Sequence, residues 1–92
     1  MCKITTALEK QGFTKFKGHN EIIKFIKSTK TDILIYIIEL KEEDSYIYTI
    51  TFILPHRNKS EIRIEYSPVK SDDLLDELDK KLVKMNKILK LL

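Results

Sequence analysis

The residues best suited to chemistry are the two histidines, and one of them lies in a short basic segment. The stretch LPHRNKSEI, residues 54–62, places His56, Arg57 and Lys59 between two apolar runs, and the other histidine is His19. A pair of imidazoles can act as acid and base near neutral pH, while lysine or arginine stabilises phosphate charge. Together these side chains would suit an RNA-cleaving site.

A polar turn between two strands is the alternative interpretation of the same segment. Pro55 cannot donate to a central ladder and would therefore end the preceding strand. Asn58 tolerates turn geometry, and Ser60 can close the loop through its side chain. No carboxylate or cysteine is clustered with either histidine at ligand spacing, so we expect no metal site and no cofactor. The sequence favours the turn and predicts no catalytic residue.

Three short motifs and the final helix resemble the HicA-type toxins, small RNA-cleaving proteins with a double-stranded-RNA-binding-like fold. The motifs are ALEKQGF at 7–13, KGH at 17–19 and LPH at 54–56. The resemblance implies that His19 would be the catalytic histidine, with Lys17 beside it. One departure concerns this histidine: the family has Ser or Asp between the glycine and the histidine, whereas Gly18 directly precedes His19 here.

Length and composition predict one soluble domain spanning residues 1–92. The chain is 42% hydrophobic and 34% charged, with two glycines and two prolines, which suits a globular protein. Its single cysteine, Cys2, cannot form an internal disulfide, so we expect a reducing compartment, the cytoplasm. The longest stretch without Asp, Glu, Lys or Arg, residues 45–56, is shorter than the roughly 20 residues of a membrane-spanning helix. We therefore expect no membrane partner.

Positive charge is concentrated in the N-terminal third of the chain, which makes nucleic-acid binding a hypothesis. Residues 1–31 carry seven lysines and two glutamates, although the net charge of the whole chain is only +3. Lysines can contact phosphates while aromatic rings such as Phe13 and Phe16 stack on bases of RNA or single-stranded DNA. The candidate contacts are Lys15, Lys17, Lys24, Lys27, Arg57 and Lys59. The alternative is that these lysines serve solubility alone.

Hydrophobic periodicity predicts an α+β fold, with a short N-terminal helix, a four-stranded antiparallel meander and a long amphipathic C-terminal helix. Short connections between successive strands favour the antiparallel meander. Gly12 is placed to end the first helix in a left-handed conformation, with Phe13 folding back on Leu8. The predicted elements are a helix over 3–12, strands over 21–28, 32–40, 46–54 and 61–66, and a helix from Ser71 to Leu92.

Two of these strands carry further information about packing. The strand 21–28 has lysines that break clean alternation, which predicts an edge position. The strand 32–40, DILIYIIEL, is apolar at almost every position. Such a strand should be central and should be covered on both faces, or on one face by a partner. The charged segment KEEDS, residues 41–45, then predicts a hairpin loop.

The C-terminal helix carries a heptad-like apolar seam. Its members alternate spacings of three and four residues: Leu75, Leu78, Leu82, Met85, Leu89 and Leu92. Two interpretations remain open at this point. The seam packs on the sheet of its own chain, or it pairs with the same helix of a second copy.

These patterns favour a small non-catalytic protein-binding module that is homodimeric. Apolar surface in excess of what one sheet face and two helices can cover indicates a protein partner. The class includes regulators, assembly factors and virus- or plasmid-encoded inhibitors of a host protein. The alternatives are a protein that binds RNA or single-stranded DNA and, less favoured, a HicA-like RNA-cleaving toxin.

Overall fold

The computed structural model describes residues 3–18, 22–55 and 60–91 of the chain. Two helices and six strands follow one another along these residues. Their bounds are α1 Lys3–Lys10, β1 Thr14–Lys17, β2 Ile23–Ser28, β3 Leu34–Glu42, β4 Ser45–Pro55, β5 Glu61–Glu65, β6 Val69–Lys70 and α2 Ser71–Leu91.

The strands form one antiparallel sheet in the order β1-β2-β3-β4-β5, and β6 also pairs with β4. Each strand therefore lies beside its neighbour in sequence, as a meander requires. The predicted α+β class, the short first helix, the meander and the long last helix are all confirmed. The number of strands is higher than the four predicted.

The first additional strand, β1, corrects the prediction that the strand at 21–28 is an edge. β1 pairs with β2 from Thr14↔Ile26 to Lys17↔Ile23, so β1 occupies the edge and β2 lies inside the sheet. All four residues of β1 are exposed. Its sequence TKFK holds one large apolar side chain, and the short alternation was hidden by the lysines. A lysine-rich edge of this kind disfavours pairing with other sheets.

The two lysines of β2 lie on opposite faces of the strand, as their positions in the sequence require. Lys24 and Lys27 are three residues apart, so they point to opposite faces of the strand. Lys27 lies on the face that also carries Phe25, and its ammonium is 5.7 Å from the centre of the Phe13 ring. The irregular spacing in the sequence therefore marks one exposed lysine and one lysine that packs over an aromatic ring.

The end of α1 confirms the predicted Schellman cap. Gly12 has φ +99°, its N–H donates to the Glu9 carbonyl, and the Phe13 N–H donates to the Leu8 carbonyl at 3.0 Å. These are the two hydrogen bonds of that motif. Leu8 and Phe13 are both buried in the core, so the cap directs the chain from the helix into β1.

The two turns that flank β3 hold it in the centre of the sheet. The Ile33 N–H donates to Thr29 Oγ1 at 3.1 Å, and Asp32 takes the left-handed conformation with φ 64°. At the other end, the predicted KEEDS loop is tighter than expected, because the strands continue to Glu42 and resume at Ser45. Short connections on both sides fix the register of the most apolar strand.

Both helices pack on the same face of the sheet and form one hydrophobic cluster there. Ile35 and Ile37 of β3 enter this cluster, as do alternate residues of β4. The residues of β4 that face the helices are Tyr48, Ile50, Phe52 and Leu54, whereas Tyr46 is 46% exposed. The fully enclosed members are Leu8, Phe25, Ile33, Ile35, Ile37, Ile50, Phe52, Leu54, Leu74 and Met85.

We expect Gly12→Ala to lower the free energy of unfolding by about 1–2 kcal/mol, because an L-residue at this positive φ is strained. Gly18→Ala is the matched control, since Gly18 has no positive φ and its added methyl would meet no atom closer than 3.8 Å. Urea denaturation of both variants measures the difference. Equal stability of the two variants would contradict the assigned cap.

Candidate binding surface

The alternation of strand residues divides the sheet into two different faces. One face is covered by α1 and α2, as described above. The other carries the intervening residues of each strand, and the register aligns them in rows such as Ile26, Tyr36, Thr51 and Glu65. No helix among the described residues packs on this second face.

We call this second surface the open face. Its members are mostly apolar or carry only a hydroxyl, and charges lie at its flanks. It comprises Phe16, Ile22, Lys24, Ile26, Leu34, Tyr36, Ile38, Leu40, Glu42, Ile47, Thr49, Thr51, Ile53, Glu61, Arg63, Glu65 and Lys70.

The degree of burial shows how this face differs from the core. Ile53 is 6% exposed, yet it does not belong to the main hydrophobic cluster. Phe16, Ile22 and Leu40 are 50%, 41% and 36% exposed. An apolar surface that spans several strands and meets water directly is typical of an interaction site.

Two shallow grooves shape the open face. The first has a volume of about 420 Å³ and is lined by Phe16, Gly18, Ile22, Lys24 and Ile26. The second, of about 260 Å³, lies between Lys24 and Arg63 over the middle of the sheet. Both are open to solvent along the surface, so they suit side chains of a partner better than an enclosed small molecule.

Opposite charges balance on the open face. Its three basic residues, Lys24, Arg63 and Lys70, are matched in number by three glutamates. Arg63 Nη1 lies 3.7 Å from Glu65 Oε1, and both side chains are more than half exposed. A polyanion would therefore meet no net positive field here, in contrast to the usual electrostatic footprint of a nucleic-acid site.

The structure separates the lysines that the sequence offered for nucleic-acid contact. Lys24 lies on the open face, whereas Lys15, Lys17 and Lys27 have the opposite parity. Lys15 and Lys17 are exposed at the edge strand, and Lys27 packs over Phe13 as described above. The remaining two candidates, Arg57 and Lys59, are outside the described residues. The described lysines thus do not form one continuous stripe.

The predicted seam of the C-terminal helix lies against the sheet of its own chain. Leu78 and Met85 are 2% and 1% exposed and belong to the core cluster. Leu75, Leu82 and Leu89 are half-buried and pack against the same cluster; Leu92 is outside the described residues. Of the two interpretations left open, intramolecular packing accounts for these five residues. The exposed apolar residues of α2 are instead Val83 and Leu91.

One buried polar contact lies on the covered face and has a structural role. The Tyr48 hydroxyl donates to Glu39 Oε2 at 2.7 Å. Burial, together with this hydrogen bond and the nearby negative charge, raises the pKa of Tyr48 above its usual value. The phenol therefore remains a donor and holds β4 against β3.

The chemistry that the sequence suggested at the histidines lies outside the part of the chain that the structure describes. This holds for His19, His56 and Cys2. Within residues 3–18, 22–55 and 60–91, no three His, Cys, Asp or Glu side chains are grouped to hold a metal ion. None of the helices in these ranges combines the length and apolar character that crossing a membrane requires.

No known protein family, curated protein or solved structure matches this chain. The resemblance to the HicA-type toxins therefore rests only on the short motifs quoted above. Any function has to be argued from the surface itself.

The sequence pointed to part of the open face but not to its extent. The apolar strand at 32–40 predicted a face in need of a partner, and β3 supplies Leu34, Tyr36 and Ile38 to the open face. The outward residues of β4 also contribute, and their alternation of isoleucine and threonine was the available signal. Phe16 was assigned to possible base stacking, because β1 was not recognised as a strand.

If the seam packs within the chain, Leu78→Ala should lower the free energy of unfolding by about 2–5 kcal/mol through loss of buried area and cavity formation. Val83→Ala, at a 56% exposed site of the same helix, should change it by less than about 0.5 kcal/mol. Thermal or urea denaturation at several protein concentrations distinguishes packing of the seam within the chain from packing between two copies. A seam between two copies would make the loss caused by Leu78→Ala disappear at dilutions where both proteins are dissociated, whereas packing within the chain keeps the loss at every concentration.

Proposed function

We propose that this protein is a non-catalytic protein-binding module of the cytoplasm and that its open face is the binding surface. Its expected role is that of a regulator, an assembly factor or an inhibitor, which acts by occupying the surface of another protein. The observation that carries the proposal is the apolar, charge-balanced sheet face, over which no helix of residues 3–18, 22–55 and 60–91 lies.

The size of the open face is adequate for such a role. At about 4.8 Å between strands and about 3.3 Å per residue, five strands and the nine residues of β3 span roughly 24 Å by 30 Å. Because β1, β2 and β5 are shorter than β3, the footprint is smaller than this rectangle, on the order of 550–600 Å², and approaches the roughly 800 Å² per partner of a standard interface. The face is also organised as interfaces are, with an apolar middle and charges at the flanks.

Protein binding accounts for this surface better than nucleic-acid binding does. Phe16 and Tyr36 offer rings for base stacking, and Lys24 and Arg63 offer phosphate contacts. Against this, glutamates equal the basic residues in number on the same face, and Glu65 pairs with Arg63. The apolar area gains free energy from burial against any apolar partner, whereas the charges cancel at a distance.

The proposal predicts that Leu40→Glu abolishes cross-linking to a protein partner in intact cells. Leu40 lies on the open face and is already 36% exposed, so the folded chain should tolerate the carboxylate. A charge buried in an apolar interface is strongly unfavourable. Cross-linking followed by mass spectrometry identifies each protein adduct, including one made with a second copy.

Val83→Glu is the matched control, because it adds the same charge at an exposed position of α2. We expect this variant to keep the adducts of the wild-type protein. Loss of adducts in Val83→Glu but not in Leu40→Glu would contradict the proposal. So would a purified protein that binds RNA or single-stranded DNA with a steep dependence on salt and on Lys15 and Lys17.

A further inference from the structure

We infer that the occupant of the open face is a second copy of this chain, which packs sheet against sheet to form a closed homodimer. The inference rests on the proposed function, because it names the partner of the same surface. The sequence offered two contacts for a homodimer, the C-terminal seam and the apolar strand at 32–40, and the inference places the contact on that strand and on β4, not on α2.

The polar groups in the middle of the open face suit an identical partner. Tyr36, Thr49 and Thr51 lie on the two central strands and present hydroxyls there, while the charged Lys24 lies on the neighbouring strand opposite Ile38. A hydroxyl both donates and accepts a hydrogen bond, so two copies of the same surface can satisfy each other. A centre made of lysines or of carboxylates would instead repel its own copy.

The charges at the flanks also permit self-association. Basic and acidic residues are equal in number on the open face, so two identical faces approach without net repulsion. The exposed pair Arg63 and Glu65 shows that these charges already find opposite partners at close range. The rim would then exclude water around the apolar middle without a large electrostatic cost.

Both edges of the sheet are charged and disfavour pairing with a second copy, which leaves the open face for the contact. β1, which forms one edge, carries Lys15 and Lys17 and is exposed along its whole length. β5, on the other side, alternates Glu61, Arg63 and Glu65 outward from the core. Charged edge strands disfavour strand addition. Two sheets packed face to face about 10 Å apart give a closed pair.

The area buried between the two copies indicates how tightly the dimer should associate. Two copies of this footprint bury on the order of 1,100–1,200 Å² in total, which lies at the limit between weak, transient interfaces and stable ones. Interfaces of this size have widely different affinities, and one with Tyr36 as the large aromatic side chain of its centre and Phe16 only on the edge strand should be weak. We therefore expect a reversible dimer with a dissociation constant in the micromolar range.

Sedimentation velocity from low-micromolar to near-millimolar protein tests the inference. We expect a monomer–dimer equilibrium for the wild type. Thr49→Glu should raise the dissociation constant at least about a hundredfold, because it places an unpaired carboxylate in the middle of the contact. Thr49 is half-buried and small, so the monomer should remain folded, which circular dichroism and thermal melting verify.

Val83→Glu serves again as the charge-matched control and should leave the dissociation constant unchanged. Methyl NMR of the wild type over the same dilution series adds a test that needs no variant. Signals of Ile38 on the open face should shift with concentration, while those of Met85 in the core should not. Dimerisation that survives Thr49→Glu but is lost in Val83→Glu would place the contact on α2 and overturn the inference.

The failure of this inference is distinguishable from that of the proposed function. A wild-type protein that stays monomeric at every concentration overturns the homodimer. If Leu40→Glu still removes adducts with a different protein, protein binding through the open face stands. If the monomer forms no adduct that depends on Leu40, both proposals fail.

Discussion

The structure depends on one constraint, the two-residue period of a β-strand, in a chain whose two helices lie on the same side of the sheet. Successive side chains must point to opposite faces, so each strand that buries Ile35 or Phe52 under the helices also presents a second set of residues to the other face. In β3 that second set is as apolar as the first. The chain cannot turn the set inward without losing the core.

The elements around the sheet show how the covered face is held in place. The Schellman cap at Gly12 turns the chain so that Phe13 enters the core and β1 forms the edge. At the far end, the Thr31 hydroxyl donates to Asn86 Oδ1 at 3.2 Å, which connects the β2–β3 turn to α2. Lys81 lies over the ring of Tyr66 at 4.6 Å and pairs with Glu77, a contact that lowers the pKa of that glutamate. These contacts fix both helices to one face, and in the part of the chain that the structure describes no helix lies on the other.

Much of this fold was predictable because local rules determine it. The alternation of β4, the glycine cap and the acidic start of α2 each follow from a pattern within a few residues. β1 and β6 were missed because four residues with two lysines, and two residues alone, carry too little apolar periodicity. The partner of the α2 seam was not predictable either, since the spacing of Leu78 and Met85 defines an apolar stripe but not the surface that it meets. Only tertiary packing decides that question.

An apolar strand in a sequence can predict assembly with another molecule as well as folding. The spacing of a residue such as Leu78 does not indicate whether it packs on its own sheet or on a second helix. Tyr36 and Ile38 are different, because the strand that holds them already commits its alternate residues to the core. Once one face of a strand is filled from within the chain, apolar residues on the other face do little for the fold of a single copy beyond contacts with their sheet neighbours. Their presence in three adjacent strands is therefore best explained by a surface that covers them, and the hydroxyls and balanced charges among them restrict what that surface can be.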